Sequence, residues 1–241
     1  MKPTIAEEFE DLGTNFLDNN WFYPAQFILV FLGAIAFFIA TVVVYMFTPS
    51  FAGFNTSGHP VFYMISEAFL AFLLFGVAFL SSVLFLIKKR RILDSVTIAA
   101  AKTGVLASIL TLGLGIFWSK VEWGYYWQWE PRQTMTLIML LFYLAMILFR
   151  STVDDVDDKA KLSAIFGIGA FPTIPMTNFI VGSLHPTPQG TELGGSAFLG
   201  VLLFFIATFL VYLAMFILTV VSEELSHQVG SLKTHLYMQQ E

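Results

Sequence analysis

F-Y-M-I-S-E-A-F-L-A-F-L-L-F-G-V-A-F-L-S-S-V-L-F-L-I, residues 62–87, runs without a break into Lys88-Lys89-Arg90-Arg91. Glu67 carries the only formal charge inside the apolar run. A helix rises about 1.5 Å per residue, so a run of this length exceeds the roughly 30 Å of hydrocarbon in a bilayer. Its apolar residues are continuous rather than alternating, which excludes a strand of a membrane barrel. The stretch reads as a transmembrane helix, and its basic end as a cytoplasmic flank.

The same pattern recurs on both sides. Apolar runs at roughly 25–47, 97–118, 133–150, 161–182 and 196–221 complete, with 62–87, a set of six spans. The composition agrees: 57% of the 241 residues are hydrophobic and 12% are charged, where soluble domains carry about 25% charged residues. The expected fold is all-α, an integral membrane bundle of six transmembrane helices forming one domain over residues 1–241. Within residues 1–24, Ile5, Phe9, Leu12 and Phe16 recur at helical spacing. That stripe predicts an amphipathic helix lying in the interface. The acids around it (Glu7, Glu8, Glu10, Asp11 and Asp18) are the reverse of the basic start of a signal peptide. Residues 222–241 read as a cytoplasmic tail.

The net charge of −5 is too small to select a charged partner, and no basic patch offers itself to nucleic acid. The chain has no cysteine, hence no disulfide and no thiolate chemistry. Lysine and arginine set the orientation. Lys2, Lys88, Lys89, Arg90, Arg91, Lys102, Arg150, Lys159, Lys161 and Lys233 share one side if the spans number six and both termini are cytoplasmic. Lys120 and Arg132 fall opposite. Loops 1–2, 3–4 and 5–6 then face outward. The acidic run Asp154-Asp155-Val156-Asp157-Asp158 reads as a solvated inner turn.

The outward loop 3–4 contains W-G-Y-Y-W-Q-W-E-P-R-Q-T, residues 123–134. Trp21 and Trp118, taken singly, fit an interfacial aromatic belt. Five rings in one short loop do not, because a belt spreads around the bundle. Trp123, Tyr126 and Trp127 would share a face on a short helix, and Trp129 follows. Such a face suits stacking on a flat apolar macrocycle such as a porphyrin, whose iron takes axial imidazole. Arg132 suits a ligand carboxylate, which guanidinium binds through two hydrogen bonds. His59 and His185 are the histidines of the outward loops; His227 and His235 lie in the inner tail and receive no ligand role.

Trp-Gly-x-x-Trp-x-Trp-acid-x-Arg before an apolar span resembles the tryptophan-rich signature of the heme-handling membrane proteins of cytochrome c maturation. Six spans at this length resemble the CcmC type among them, over about residues 25–222. A second matching piece runs from Pro172-Thr173-Ile174-Pro175 to Leu184-His185-Pro186. The resemblance implies a transport protein rather than an enzyme. It would hold heme b at the outer face of the inner (cytoplasmic) membrane and pass it to a heme chaperone. Other membrane subunits of cytochrome c maturation and an ABC-type ATPase complex are the implied partners beside the bilayer. A heme-retaining electron-transfer or structural subunit of a membrane redox complex is the alternative.

In the family, the tryptophan-rich loop and two outer histidines grip the heme. The second histidine carries over onto His185, and Glu130 stands where the signature acid is usually Asp. The first family histidine follows a Met-Tyr-Ile-like run; here Tyr63-Met64-Ile65 is followed by Ser66. His59 is then the expected partner of His185 on the heme iron. Three roles stay open for Glu67: facing the heme, pairing with Arg132, or relaying protons.

Overall fold

The computed structural model describes residues 22–47, 60–153, 155–177 and 195–238. All secondary structure in these segments is helical: α1 (Phe22–Phe47), α2 (Pro60–Lys88), α3 (Arg91–Trp123), α4 (Pro131–Thr152), α5 (Val156–Ala170), the single turn α6 (Thr173–Pro175) and α7 (Gly195–Met238). Among the described residues five helices, α1 to α4 and α7, are long and apolar enough to cross a membrane. The interfacial helix expected over residues 1–24 lies outside the described residues up to Trp21, and Phe22, Tyr23 and Pro24 already belong to α1.

The expected unbroken span 161–182 needs correction. Its helix starts earlier, capped by the Asp155 side chain on the Asp158 N–H at 2.9 Å. It is interrupted at Pro172, which has no N–H to donate and whose ring clashes with the carbonyl four residues back. Phe171 N–H instead bonds the carbonyl of Ile168, at 3.3 Å. The backbone stays right-handed through Phe171, Pro172 and Met176, so the helix is broken without changing hand.

Two other helices outrun the apolar runs that announce them. α3 begins at Arg91 rather than near residue 97, because the polar side chains there have partners. Ser95 Oγ donates to Glu224 of α7 at 3.0 Å, and Thr97 Oγ1 lies 2.8 Å from Ser81 Oγ of α2. α7 continues to Met238, through residues read as a tail, since no proline follows Gly195 and Glu223, Glu224 and Leu225 are strong helix formers.

α2, α3 and α4 run antiparallel, so Pro60, Trp123 and Pro131 gather at one end of the bundle, here the aromatic end. Lys88, Arg91 and Thr152 gather at the other, the basic end. The core lies where α2 and α3 meet α4 and α7. Lipid tails are as apolar as leucine, so association here depends on close packing of small residues. Ala78 of α2 and Ala99, Ala100, Ala101 and Ala107 of α3 are almost fully buried. Gly104 takes the face of the Phe75 ring, which a Cβ there would meet at 2.6 Å. Phe75 in turn stacks on Tyr143 of α4, with centroids 3.6 Å apart.

A polar clasp closes the basic end. Arg150 of α4 donates to both oxygens of Asp94 of α3 at 2.7 Å, to Ser163 of α5 at 2.6 Å and to the Lys159 carbonyl at 3.3 Å. Arg150 and Asp94 are both buried. Lys102 of α3 pairs with Glu223 of α7 nearby. Arg150 reads in the sequence as a flanking charge; in the fold it is an internal ion pair.

Candidate functional site

The tryptophan-rich segment is divided by Gly124. α3 ends at Trp123, and Gly124 adopts φ 81°, a left-handed conformation that glycine takes without steric penalty. Its N–H bonds the Lys120 carbonyl at 3.0 Å, and Lys120 Nζ donates to the Gly124 carbonyl at 2.7 Å. Ser119 Oγ holds the Tyr125 carbonyl at 3.0 Å. The chain then runs irregularly to Pro131, the first residue of α4, where proline's missing N–H costs nothing. The expected short helix carrying Trp123, Tyr126 and Trp127 on one face is therefore absent. Only Trp123 is helical, and the left-handed turn sends the rest elsewhere.

The rings form three groups instead of one platform. Trp123 packs edge-to-face on Trp118, with centroids 5.2 Å apart. Tyr126 lies against Phe117 and under the Lys120 ammonium, which is 5.2 Å from its ring centre. Trp127 and Trp129 make a second edge-to-face pair at 5.6 Å. Trp129 has φ 57°, a conformation that costs a bulky residue roughly 1–3 kcal/mol. The residue is 72% exposed, so burial does not compensate that strain.

Beside this segment a cavity of about 290 Å3 opens between α2, α3 and α4. Met64, Ile65, Ala68, Phe69 and Phe72 form its α2 wall, and Thr111, Leu112, Gly115, Trp118 and Trp123 its α3 wall. Glu130, Arg132, Gln133 and Thr136 close the α4 side, with Thr177 beyond them. Trp118, read from the sequence as a belt residue, is thus part of the cavity. Tyr126, Trp127 and Trp129 are not among its lining residues. Glu130 and Arg132 form no ion pair among the described residues, and the buried Gln133 Oε1 has no hydrogen-bond partner there. The site therefore offers an apolar slot with a guanidinium, a carboxylate and an amide on one side.

Ser66 and Glu67 turn away from this cavity. Ser66 is fully buried and its hydroxyl reaches the Phe62 carbonyl at 2.8 Å and the Val201 carbonyl of α7 at 3.0 Å. Glu67 is buried too and faces the Tyr212 hydroxyl of α7, although neither Glu67 Oε2 nor that hydroxyl has a well-formed hydrogen bond among the described residues. Among the described residues Glu67 forms no ion pair with Arg132 and does not line the cavity. His59 and His185 lie outside the described residues. The sequence reading missed Met64, Phe69, Thr111, Gln133 and Thr136. Met64, Ala68, Phe69 and Phe72 share one helical face, but in an all-apolar span a face toward protein looks like a face toward lipid.

The chain is similar to proteins of heme export and cytochrome c biogenesis. Heme exporter protein C of Bradyrhizobium diazoefficiens is 28% identical over 181 residues, covering 72% of this chain and 69% of that protein. A ccmC-like mitochondrial protein of cytochrome c biosynthesis from Marchantia polymorpha is 30% identical over 162 residues, 66% of this chain and 67% of its own length. The cytochrome c biogenesis protein CcsA of a Synechococcus strain shares 39% identity over 70 residues, 28% of this chain and 22% of the relative. The profile of heme exporter protein C matches residues 14–235, both membrane ends included, and by that match the chain belongs to the CcmC family.

Proposed function

We propose that the chain holds heme at the outer face of the inner membrane and presents it to a heme chaperone for cytochrome c maturation, without making or breaking a bond itself. The observation that carries this reading is the cavity at the aromatic end, in a member of the heme exporter protein C family. Heme is cargo here. Its flat apolar body suits the Trp118 and Trp123 rings and the α2 wall, and its carboxylates suit Arg132. About 290 Å3 is just below the roughly 300–1,000 Å3 of ligand sites, so the cavity admits an edge of the macrocycle. Trp127 and Trp129 stand outside it and cover the exposed part. His185 supplies one axial ligand from loop 5–6, and His59 is the outer histidine left for the other. An ABC-type ATPase complex and other maturation subunits are the partners that fit.

Purification from heme-replete cells tests the reading. A Soret band that an apo chaperone depletes supports delivery; a stoichiometric heme that survives washing and cycles with quinol supports the electron-transfer subunit instead. Trp127→Ala and Trp129→Ala should each lower heme retention about fivefold, since ring stacking contributes about 1 kcal/mol beyond buried area. Equal retention in both variants and wild type would remove the exposed rings from the site.

The topology proposed with it has six spans, the fifth being the proline-broken stretch that starts at Val156, and places both termini in the cytoplasm. Ten of twelve lysines and arginines then face inward, including those of the basic end. A reporter fused after Glu241 should read cytoplasmic and one inserted near Gly190 periplasmic. A periplasmic signal at Glu241 overturns the map.

A further inference from the structure

Beneath the slot, between α2, α3 and α4, lies a second space of about 20 Å3. Ala68, Phe72, Thr111 and Thr136 border both spaces, whereas Ala71, Ser108 and Met139 border only the lower one. These three stand three residues from Ala68, Thr111 and Thr136, each on the side away from the aromatic end. That is about 4.5 Å of helix rise, so the space is a step down from the floor of the slot toward the middle of the bundle.

The side chains around it are unequal. Ala68, Ala71, Phe72 and Met139 are apolar. Ser108 is completely buried, and its hydroxyl has no partner among the described residues. A serine inside a helix can bond the carbonyl four residues back, as Ser66, Ser81, Ser82 and Ser163 do at 2.6–2.9 Å. Ser108 does not, which leaves its hydrogen to donate elsewhere. Burying a hydroxyl without a partner is costly, and most buried polar atoms find one. Thr111 and Thr136 complement it. Their hydroxyls donate to the Ala107 and Arg132 carbonyls at 2.9 and 2.8 Å, so each oxygen keeps lone pairs with which to accept.

One donor and two acceptors match a single water molecule. Water can accept from Ser108 and donate to Thr111 and Thr136, and a buried water typically makes about three hydrogen bonds. A site needs about 10–15 Å3 to admit one, and about 20 Å3 is present. An apolar occupant would leave the Ser108 hydroxyl unanswered. We propose that Ser108, Thr111 and Thr136 form a water-binding site that keeps the floor of the slot hydrated. The slot then has a dry wall on α2 and a polar seam opposite. The seam runs from Gln133, whose buried carbonyl oxygen is likewise unpartnered among the described residues, through Thr136 to Ser108. The site itself is independent of the cargo. For a cargo held in the slot, it supplies water to the space that the cargo vacates.

X-ray radiolytic labelling of the full-length protein in lipid nanodiscs, without heme, tests this. Hydroxyl radicals formed from a bound water oxidise the side chain beside it before they diffuse away. Met139 is buried and borders the site; Met146, buried on the same helix, borders neither space. Met139 should be oxidised severalfold faster than Met146, and should take up label from heavy-oxygen water slowly, as it does beside a held water. Ser108→Ala should bring Met139 down to the rate of Met146. Thr111→Val keeps the side-chain shape and removes one acceptor, so it should lower the Met139 rate as well. It also decides the matter if Ser108→Ala does not fold. Met139 no faster than Met146 in wild type means a dry space and overturns the proposal. A Met139 rate unchanged in the variants does the same, since water then reaches that methionine without these hydroxyls. Neither result touches the heme reading, which heme retention decides.

Discussion

Arg150→Ala is expected to destabilise the protein by about 3–5 kcal/mol, the usual cost of leaving one partner of a buried ion pair without the other. Asp94 is only 2% exposed, and both of its oxygens are held by Arg150 at 2.7 Å. Removing the guanidinium takes the counter-charge from that buried carboxylate and breaks the Arg150 bonds to Ser163 and the Lys159 carbonyl, which keep only their own 2.9 Å bond, so α3, α4 and α5 lose their common tie. Arg150→Lys keeps the charge but lacks the planar fork that spans two carboxylate oxygens, and should fall between wild type and Arg150→Ala. Removing Asp94 as well should recover part of the loss, because the stranded charge goes with it. Thermal unfolding of the detergent-purified variants gives the order directly. An Arg150→Ala protein within about 0.5 kcal/mol of wild type, the range of ordinary surface changes, would mean that water reaches the clasp. Lys159 and Lys161 remain at this end in every variant, so inverted insertion is not the expected cause of any change.

His185→Ala is expected to lower heme retention by more than about 100-fold. Losing only the hydrogen-bond partner of a metal ligand costs roughly 10–100-fold in affinity, and losing the ligand removes the bond itself. The rings and Arg132 would still hold the macrocycle, so residual binding is expected, with a changed spin state. Imidazole added to the variant should restore the low-spin spectrum in part. Retention and spectrum unchanged in His185→Ala would sink the assignment of the axial imidazole to loop 5–6, while leaving the cavity and its rings as the binding surface.

The sequence-based reading succeeds where one physical signal dominates. Five spans are legible as runs of apolar residues, because hydrocarbon penalises every exposed polar group and selects long helices. It misplaces their ends where a second signal intervenes. Asp94, Ser95 and Thr97 read as the approach to a span, yet they lie inside α3, since Arg150, Glu224 and Ser81 satisfy them. Pro172 was visible in the chain, but the apolar run continues across it, and hydropathy does not register a missing N–H.

The tryptophan-rich segment marked the end of the bundle that carries the cavity, whose lining includes its Trp123, Glu130, Arg132 and Gln133. The sequence by itself determined an all-helical membrane chain, the sidedness bias of its charges and the family to which the segment points. The tertiary structure decided which side chains share a space. Gly124 turns the chain so that Trp123 lines the cavity while Trp127 and Trp129 do not. The pitch of α2 puts Met64 in the slot and Ser66 against α7. Neither result is legible in one dimension, because every face of a transmembrane helix is apolar and only the packing of its neighbours distinguishes them.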